Sequence, residues 1–404
     1  MKKEINRPEL LAPAGNWTML TTAVNNGANA VYLGVENLNM RAKSKNFKVD
    51  ELSEIVSFCA THNVDVHLTV NTIVYENELD ELDLLIKTAK ESGVKYVIGW
   101  DMAVINACKK YEIPFCISTQ ASISNSGAAK FYKDLGADRI VLARELSLEQ
   151  IKEIKQKVDI EIETFIHGAM CVAVSGRCFM SHELFNKSAN RGECIQPCRR
   201  EYEVIDTDSG SKLILGSDYI MSPKDLNTLE FIDQLIEAGI NSFKIEGRKR
   251  SPEYAAKVIS TYRKAIDLYF EGNLTKEVKI KMIEELGEVY NRGFSHGFYF
   301  DEPGADDFAE EYGSVATTKK VYAGKVINYY SKNQIVHVKL EAENLALGDK
   351  IYIMGNSSGL IELELKSLMK DEKEILEAVK GDEITFKCSS KVRPRDQVYK
   401  VVNR

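Results

Sequence analysis

The chain has 404 residues, 44% of them hydrophobic, 28% charged and only 8 of them proline: a globular composition, too long for one ordinary core. No apolar run reaches the roughly 20 residues of a membrane-spanning helix, and the opening MKKEINRPELLAPAG lacks the apolar stretch of a signal peptide, so a cytoplasmic protein without membrane contact is expected. The net charge of −7 argues against indiscriminate nucleic-acid binding but leaves room for local basic footprints, such as Arg199-Arg200 and Arg248-Lys249-Arg250.

Along the chain, short β-branched runs alternate with amphipathic stretches. Strands are predicted at 9–15, 30–34, 64–71, 96–100, 114–119, 139–143 and 161–168, with helices behind them, and an eighth at 242–247 with a helix over 252–270. Eight apolar strands each leading to a helix indicate a closed parallel (β/α)8, TIM-like barrel of the α/β class. An open doubly wound sheet would alternate in the same way, but no GxGxxG follows the first strand. The catalytic domain is expected over 1–273. Its strands seven and eight are separated by a Cys-rich insertion (169–222) ending in a hairpin around Asp208-Ser209-Gly210. Residues 274–313 read as a helical and loop linker. From 314 to 404 the chain is rich in strands, as in a small C-terminal antiparallel β-barrel.

Eight cysteines in a cytosolic chain do not suggest a disulfide framework. Cys59, Cys108, Cys116 and Cys388 fall in apolar or strand-like settings and read as inert thiols. Cys171, Cys178, Cys194 and Cys198 instead crowd into one block, spaced x6, x15 and x3. Four thiolates can close a tetrahedral zinc site or hold the corners of a cubane cluster. Neither pair has the x2 spacing of a zinc knuckle, whereas iron–sulfur frameworks tolerate irregular gaps. Zinc stays open as the alternative.

Further candidates stand where strands run into loops, the usual source of a barrel active site. They are Asn71, Asp101, Gln120, Arg144, Glu145, His167, Glu246 and Arg248. Asp101 and Glu145 also suit helix starts. His167 lies four residues before Cys171 and is expected near the metal. No HExxH, GxSxG or P-loop is present, and no convincing proteolytic nucleophile stands out.

PELLAPAGN, VNTIVYENEL, STQASISN, ETFIHGAMCVAVSGRCFMS, NRGECIQPCRR and FKIEGRKRSPEY together resemble the collagenase-like U-32 peptidase family over almost the whole chain. The C-terminal strands are similar to the second domain of elongation factor Tu. The family name implies proteolysis. Its better-understood branches imply oxygen-independent hydroxylation with a 4Fe-4S cluster, acting on tRNA wobble uridine, ribosomal RNA cytidine or the ubiquinone ring. Length and the C-terminal strands make this chain look most like the tRNA branch, which forms 5-hydroxyuridine. The resemblance implies Cys171, Cys178, Cys194 and Cys198 as cluster ligands, tRNA as partner, prephenate as the co-substrate that donates hydroxyl, and a homologous partner chain in some members.

On that basis Arg144 and Arg248 are the candidates for the carboxylates of prephenate, with Arg41, Arg191 and Arg199 in reserve. Asn71 and Gln120 suit the edge of an extruded uridine, and Glu246 or His167 suits proton movement. Two readings stand beside hydroxylation: a peptidase, and a non-catalytic RNA-binding subunit with a structural metal.

Overall fold

The computed structural model describes residues 5–41, 46–171, 173–174, 177–200, 202–213, 222–311 and 313–404. Three positions of the cysteine motif (172, 175 and 176) and the segment 214–221 lie outside them.

Eight parallel strands close on themselves. They are β1 (Glu9–Pro13), β2 (Ala30–Leu33), β3 (Asp65–Thr69), β4 (Tyr96–Gly99), β5 (Phe115–Ile117), β6 (Arg139–Val141), β7 (Glu161–Ala169) and β8 (Ser242–Ile245). Strand β8 pairs with both β7 and β1, which completes the ring. The strands alternate with α1 (Trp17–Asn25), α2 (Leu52–Ala60), α3 (Leu79–Ser92), α4 (Met102–Lys110), α5 (Ser126–Leu135) and α6 (Leu148–Lys157). Helix α1 starts where the Asn16 side chain accepts from the Met19 amide, and α4 where Asp101 accepts from the Ala103 amide at 2.9 Å. Asp101 is therefore a helix cap. The insertion does not replace the seventh helix: α7 (Ile232–Glu237) follows it, and α8 (Pro252–Phe270) follows β8.

The barrel interior carries charge. Arg139 donates to Glu9 at 2.6 Å and to Glu161 at 2.9 Å and lies 3.4 Å from Glu163, which also accepts from Lys244 at 2.7 Å. Pairing of this kind is what makes charges tolerable in a dry core. His67 is buried beside them, 4.0 Å from Glu9, and neither ring nitrogen has a hydrogen-bond partner among the described residues. Burial, with Arg139 nearby, lowers its pKa to about 3 and keeps the ring neutral.

The segment 274–313 is part of the barrel. Helix α9 (Lys276–Leu286) sends Met282 and Leu286 into the barrel core, together with Val289 and Tyr299. Phe294–Ser295 pairs with Asp225–Asn227, which runs antiparallel to β7. The expected hairpin is present as Val204–Ile205 against Lys212–Leu213.

The C-terminal strands form an antiparallel sheet around a core of their own, including Ala323, Val336, Ile353, Ile384 and Val398. The long strand Thr318–Tyr330 runs between Ile335–Leu340 and Gln397–Asn403. This sheet rests on the barrel. Thr21 of α1 donates to the Asn356 carbonyl at 2.7 Å, and Ala256 of α8 packs with Tyr352, Met354 and Leu360. None of the described helices is long and apolar enough to cross a membrane.

Candidate active site

The C-terminal ends of the strands surround a cavity lined by Tyr32, Met40, Arg41, Thr69, Asn71, Ser118, Gln120, Arg144, Phe165, Cys171, Lys244, Glu246 and Arg248, among others. Each polar residue follows from the barrel's geometry. Tyr32, Thr69 and Lys244 point inward from β2, β3 and β8, while Asn71, Gln120, Arg144, Glu246 and Arg248 lie just past strand ends, where loops are free to present them.

Glu246 is the one carboxylate among those lining residues. Arg41 donates to its Oε1 at 3.3 Å, and the Tyr32 hydroxyl lies 3.4 Å from Oε2 while donating to the Ile245 carbonyl at 2.9 Å. Burial alone would raise its pKa, but Arg41, Arg144 and Arg248 outweigh it and hold the carboxyl below the usual range. Glu246 is thus an anion at neutral pH, an acceptor rather than an acid. Burial pushes the Tyr32 phenol well up, so it stays a neutral donor. Arg248 is pulled down to about 10 by burial and remains charged, donating to Thr69 at 2.9 Å and Asn39 at 3.2 Å. Arg144 stacks on Phe165, 3.7 Å from its centroid, and donates to the Ala169 carbonyl at 2.7 Å; its Nε is buried without a partner among the described residues. Asn71 is held by the Met40 amide, donating to Oδ1 at 3.1 Å, and Gln120 by the Ser118 hydroxyl. Lys244 is spent on Glu163, so three cations (Arg41, Arg144, Arg248) against one carboxylate leave an excess of two positive charges around the cavity. Such a lining favours an anionic guest.

Beside it lies a second cavity that brings Cys171, Cys178, Cys194 and Cys198 together and shares Met40, Arg41, Arg144, Cys171 and Glu246 with the first. All four thiols are free. The loop is pinned from several sides. Asn190 accepts from the Cys178 amide at 3.1 Å, Lys249 donates to the Cys194 carbonyl at 2.9 Å, and Thr72 donates to the Asn190 carbonyl at 2.9 Å. A tetrahedral zinc with bonds of about 2.3 Å would draw its sulfurs to within roughly 4 Å of one another. Among the described residues no three of these sulfurs lie within 4.8 Å of one another, although all four border one space. Four thiols bordering one space can take a single metal ion or a multinuclear cluster. The one tight group of that kind, Glu9, His67 and Glu163, is already served by Arg139 and Lys244.

Two candidates stand elsewhere. Arg191 fastens the insertion to the loop after β3, donating to the Ile73 carbonyl and Glu78, with its guanidinium 4.4 Å from the Tyr75 ring centre. His167 does not face the cysteines. Strand β7 carries a bulge, with Lys244 opposite Phe165 but Ile245 opposite His167, so Ile166 is the extra residue. The strand's inside–outside alternation therefore slips by one. Phe165 faces the cavity, while His167 turns outward among Tyr254, Tyr262 and Phe294, where burial lowers its pKa to about 3. Arg199 lines the cysteine cavity; its terminal nitrogens donate to the carbonyls of Met170 and Pro223 and to Ser222, while its Nε is buried without a partner among the described residues. It buttresses the loop.

Sequence reasoning missed Tyr32, Lys244 and Ser118. The legible signal for Lys244 was a charge in the middle of an otherwise apolar strand; Tyr32 gave none.

A sequence model described as Peptidase family U32 matches residues 15–308. A collagenase of Porphyromonas gingivalis is 38% identical over 99% of both chains. A tRNA hydroxylation protein P1 of Bacillus subtilis is 35% identical, covering 98% of this chain and 95% of its own. The 23S rRNA 5-hydroxycytidine C2501 synthase of Escherichia coli is 33% identical over 82% of this chain and 54% of its own.

Proposed function

The chain belongs to peptidase family U32, and from that premise we propose that it hydroxylates an RNA base without oxygen, converting a tRNA wobble uridine to 5-hydroxyuridine. The observation that carries this reading is the union of two cavities: a cation-lined barrel mouth opening through Arg41, Arg144, Cys171 and Glu246 onto a pocket of four thiols. Relatives named for tRNA hydroxylation and for hydroxycytidine synthesis support it.

In this reading Cys171, Cys178, Cys194 and Cys198 hold a 4Fe-4S cluster, which when bound supplies the redox chemistry that replacing a ring C–H by C–OH requires. The residues of the chain do the rest. Arg248 and Arg144 seat the carboxylates of a hydroxyl donor, for which prephenate is our candidate. Asn71 and Gln120, just past the ends of β3 and β5, offer amides suited to the edge of a flipped base. Glu246, ionised and touching both Arg41 and Tyr32, accepts the proton that leaves the ring carbon.

A peptidase reading follows from the relatives named collagenase. Neither cavity is lined by a histidine beside its thiols, so the lining offers no thiol–imidazole pair.

Anaerobic purification with iron, sulfide and zinc analysis, and nucleoside mass spectrometry of tRNA from a deletion strain, tests the proposal. About four irons and four sulfides per chain, lost in Cys194→Ser, and absence of 5-hydroxyuridine in the deletion are expected. Stoichiometric zinc without sulfide would overturn it, and cleavage of gelatin by the purified protein would put the peptidase first.

A further inference from the structure

Around the thiol pocket the surface has an unusual character. The stretch 177–200 holds five cationic residues (Arg177, Lys187, Arg191, Arg199, Arg200) and two acidic ones (Glu183, Glu193), a net +3 in a chain whose total is −7. Apolar and aromatic side chains protrude from the same stretch: Phe179 is 70% exposed, and Leu184, Phe185 and Ile195 are exposed as well. Phe179 adjoins Cys178, and Phe185 closes the short helix Met180–Phe185. Large apolar groups clustered on an exposed face mark a contact surface rather than chance.

Arginine stands over an aromatic ring at three places on this rim. The guanidinium of Arg200 is 4.6 Å from the Phe185 centroid, that of Arg191 is 4.4 Å from Tyr75, and that of Arg177 is 5.9 Å from Trp100. Tyr75 and Trp100 come from the loops after β3 and β4, so the platforms run from the insertion to the barrel mouth. Arg191 is spent on Glu78 and Arg199 on carbonyls within the loop, but Arg177, Lys187 and Arg200 are exposed. A flat ring backed by a guanidinium, with exposed cations alongside, is the chemistry that holds unpaired nucleotides: bases stack on the ring and phosphates meet the charge. A protein partner would match the apolar groups but would leave the local cationic excess without a counterpart.

We propose that this rim, centred on Phe179, Phe185 and Arg200, is the docking face for the unpaired nucleotides of an RNA loop. The proposal rests on the RNA reading of the site and adds where the flanking nucleotides lie, outside the barrel cavity. It places the recognition of the loop on the insertion, ahead of the C-terminal sheet.

The test uses the anaerobically purified full chain and a fluorescently labelled RNA hairpin with a single-stranded loop, titrated by anisotropy at several salt concentrations. Phe179→Ala, Phe185→Ala and Arg200→Ala are compared with the wild type, with iron content and urea midpoint measured on each. Each aromatic truncation is expected to weaken binding by roughly tenfold. Arg200→Ala is expected to reduce the slope of log affinity against log salt by about 0.7, the loss of one phosphate contact. Should Phe179→Ala lose iron, Phe185→Ala and Arg200→Ala carry the comparison. If the wild type does not bind the hairpin, the RNA reading of the site itself fails. If the wild type binds and all three variants bind equally well, only the docking face is overturned. A wild-type dimer that Phe179→Ala dissolves, with RNA affinity intact, would assign the rim to a second copy instead.

Discussion

Acidification is the perturbation to which His167 responds most directly. Its ring is buried among Tyr254, Tyr262 and Phe294, and its pKa is lowered to about 3 from 6.5, chiefly by desolvation and secondarily by Arg250. Above about pH 6.5 the ring is neutral folded and unfolded, so it has no linkage effect. Between about 6.5 and 3 the unfolded chain takes up a proton that the folded chain refuses, and stability falls with falling pH. One proton corresponds to about 1.4 kcal/mol per pH unit, hence about 2 kcal/mol by pH 5 and about 5 kcal/mol by pH 3. Below about pH 3 the loss levels off. His67 contributes the same way in the same window. The assay is urea unfolding followed by tryptophan fluorescence at a series of pH values. Trp17 and Trp100, the two tryptophans of the chain, both lie in the barrel, so the signal reports that domain. His167→Gln should unfold with a pH slope shallower by about 1.4 kcal/mol per unit, and nucleoside analysis at neutral pH should still show modification. Parallel slopes for wild type and variant would refute the buried neutral ring, and loss of modification with normal iron would return His167 to the chemistry.

The other predictions concern the cavity and its frame. Arg248→Ala should abolish RNA modification while leaving iron per chain unchanged, since Arg248 contacts Thr69 and Asn39 and not the thiols; retained modification removes it from the site. Glu246→Gln should slow modification roughly hundredfold with iron intact. The wild-type rate should stay flat as pH falls from neutrality towards the carboxylate range, because its neighbours hold Glu246 ionised. A titration near pH 6 would contradict that assignment. Gly168→Ala should lose a few kcal/mol in urea unfolding (about 1–3 for the backbone alone), because φ is +106° and a Cβ would meet the Glu246 carbonyl at 2.5 Å. An unchanged midpoint would show that the end of β7 yields more easily than its contacts imply.

The barrel was legible because each strand carries apolar residues on the face that meets the helices, and that pattern survives even where the inner face holds Arg139, Glu163 or Lys244. The gathering of the four thiols was legible from spacing, since one insertion carries all of them to one cavity. His167 was misplaced for a definite reason. A bulge adds one residue to β7, and nothing in ETFIHG announces it, because the bulged Ile166 is an ordinary strand residue and its carbonyl is capped by Tyr262 from a distant helix. Residues 274–313 read as a linker because their contacts are spread over a helix, a two-residue strand and the single hydroxyl of Tyr299, which donates to the Phe165 carbonyl at 2.8 Å. Arg191 looked like a substrate ligand in sequence. Only the third dimension shows its donors spent on Ile73 and Glu78.

The seam of the barrel, where β1 meets β8, is flanked by α1 and α8, and both helices bear on the C-terminal sheet through Asn356 and the Tyr352–Leu360 packing. During synthesis this order has a cost in time. The ring can close once residue 245 has left the ribosome, but the outer side of its last joint stays bare until the chain passes residue 360. A nascent or prematurely ended chain therefore displays Ala256 and its neighbours on an open flank beside a finished barrel, which is the kind of surface that chaperones and proteases recognise. The C-terminal sheet works as a latch over the joint at which the barrel closes.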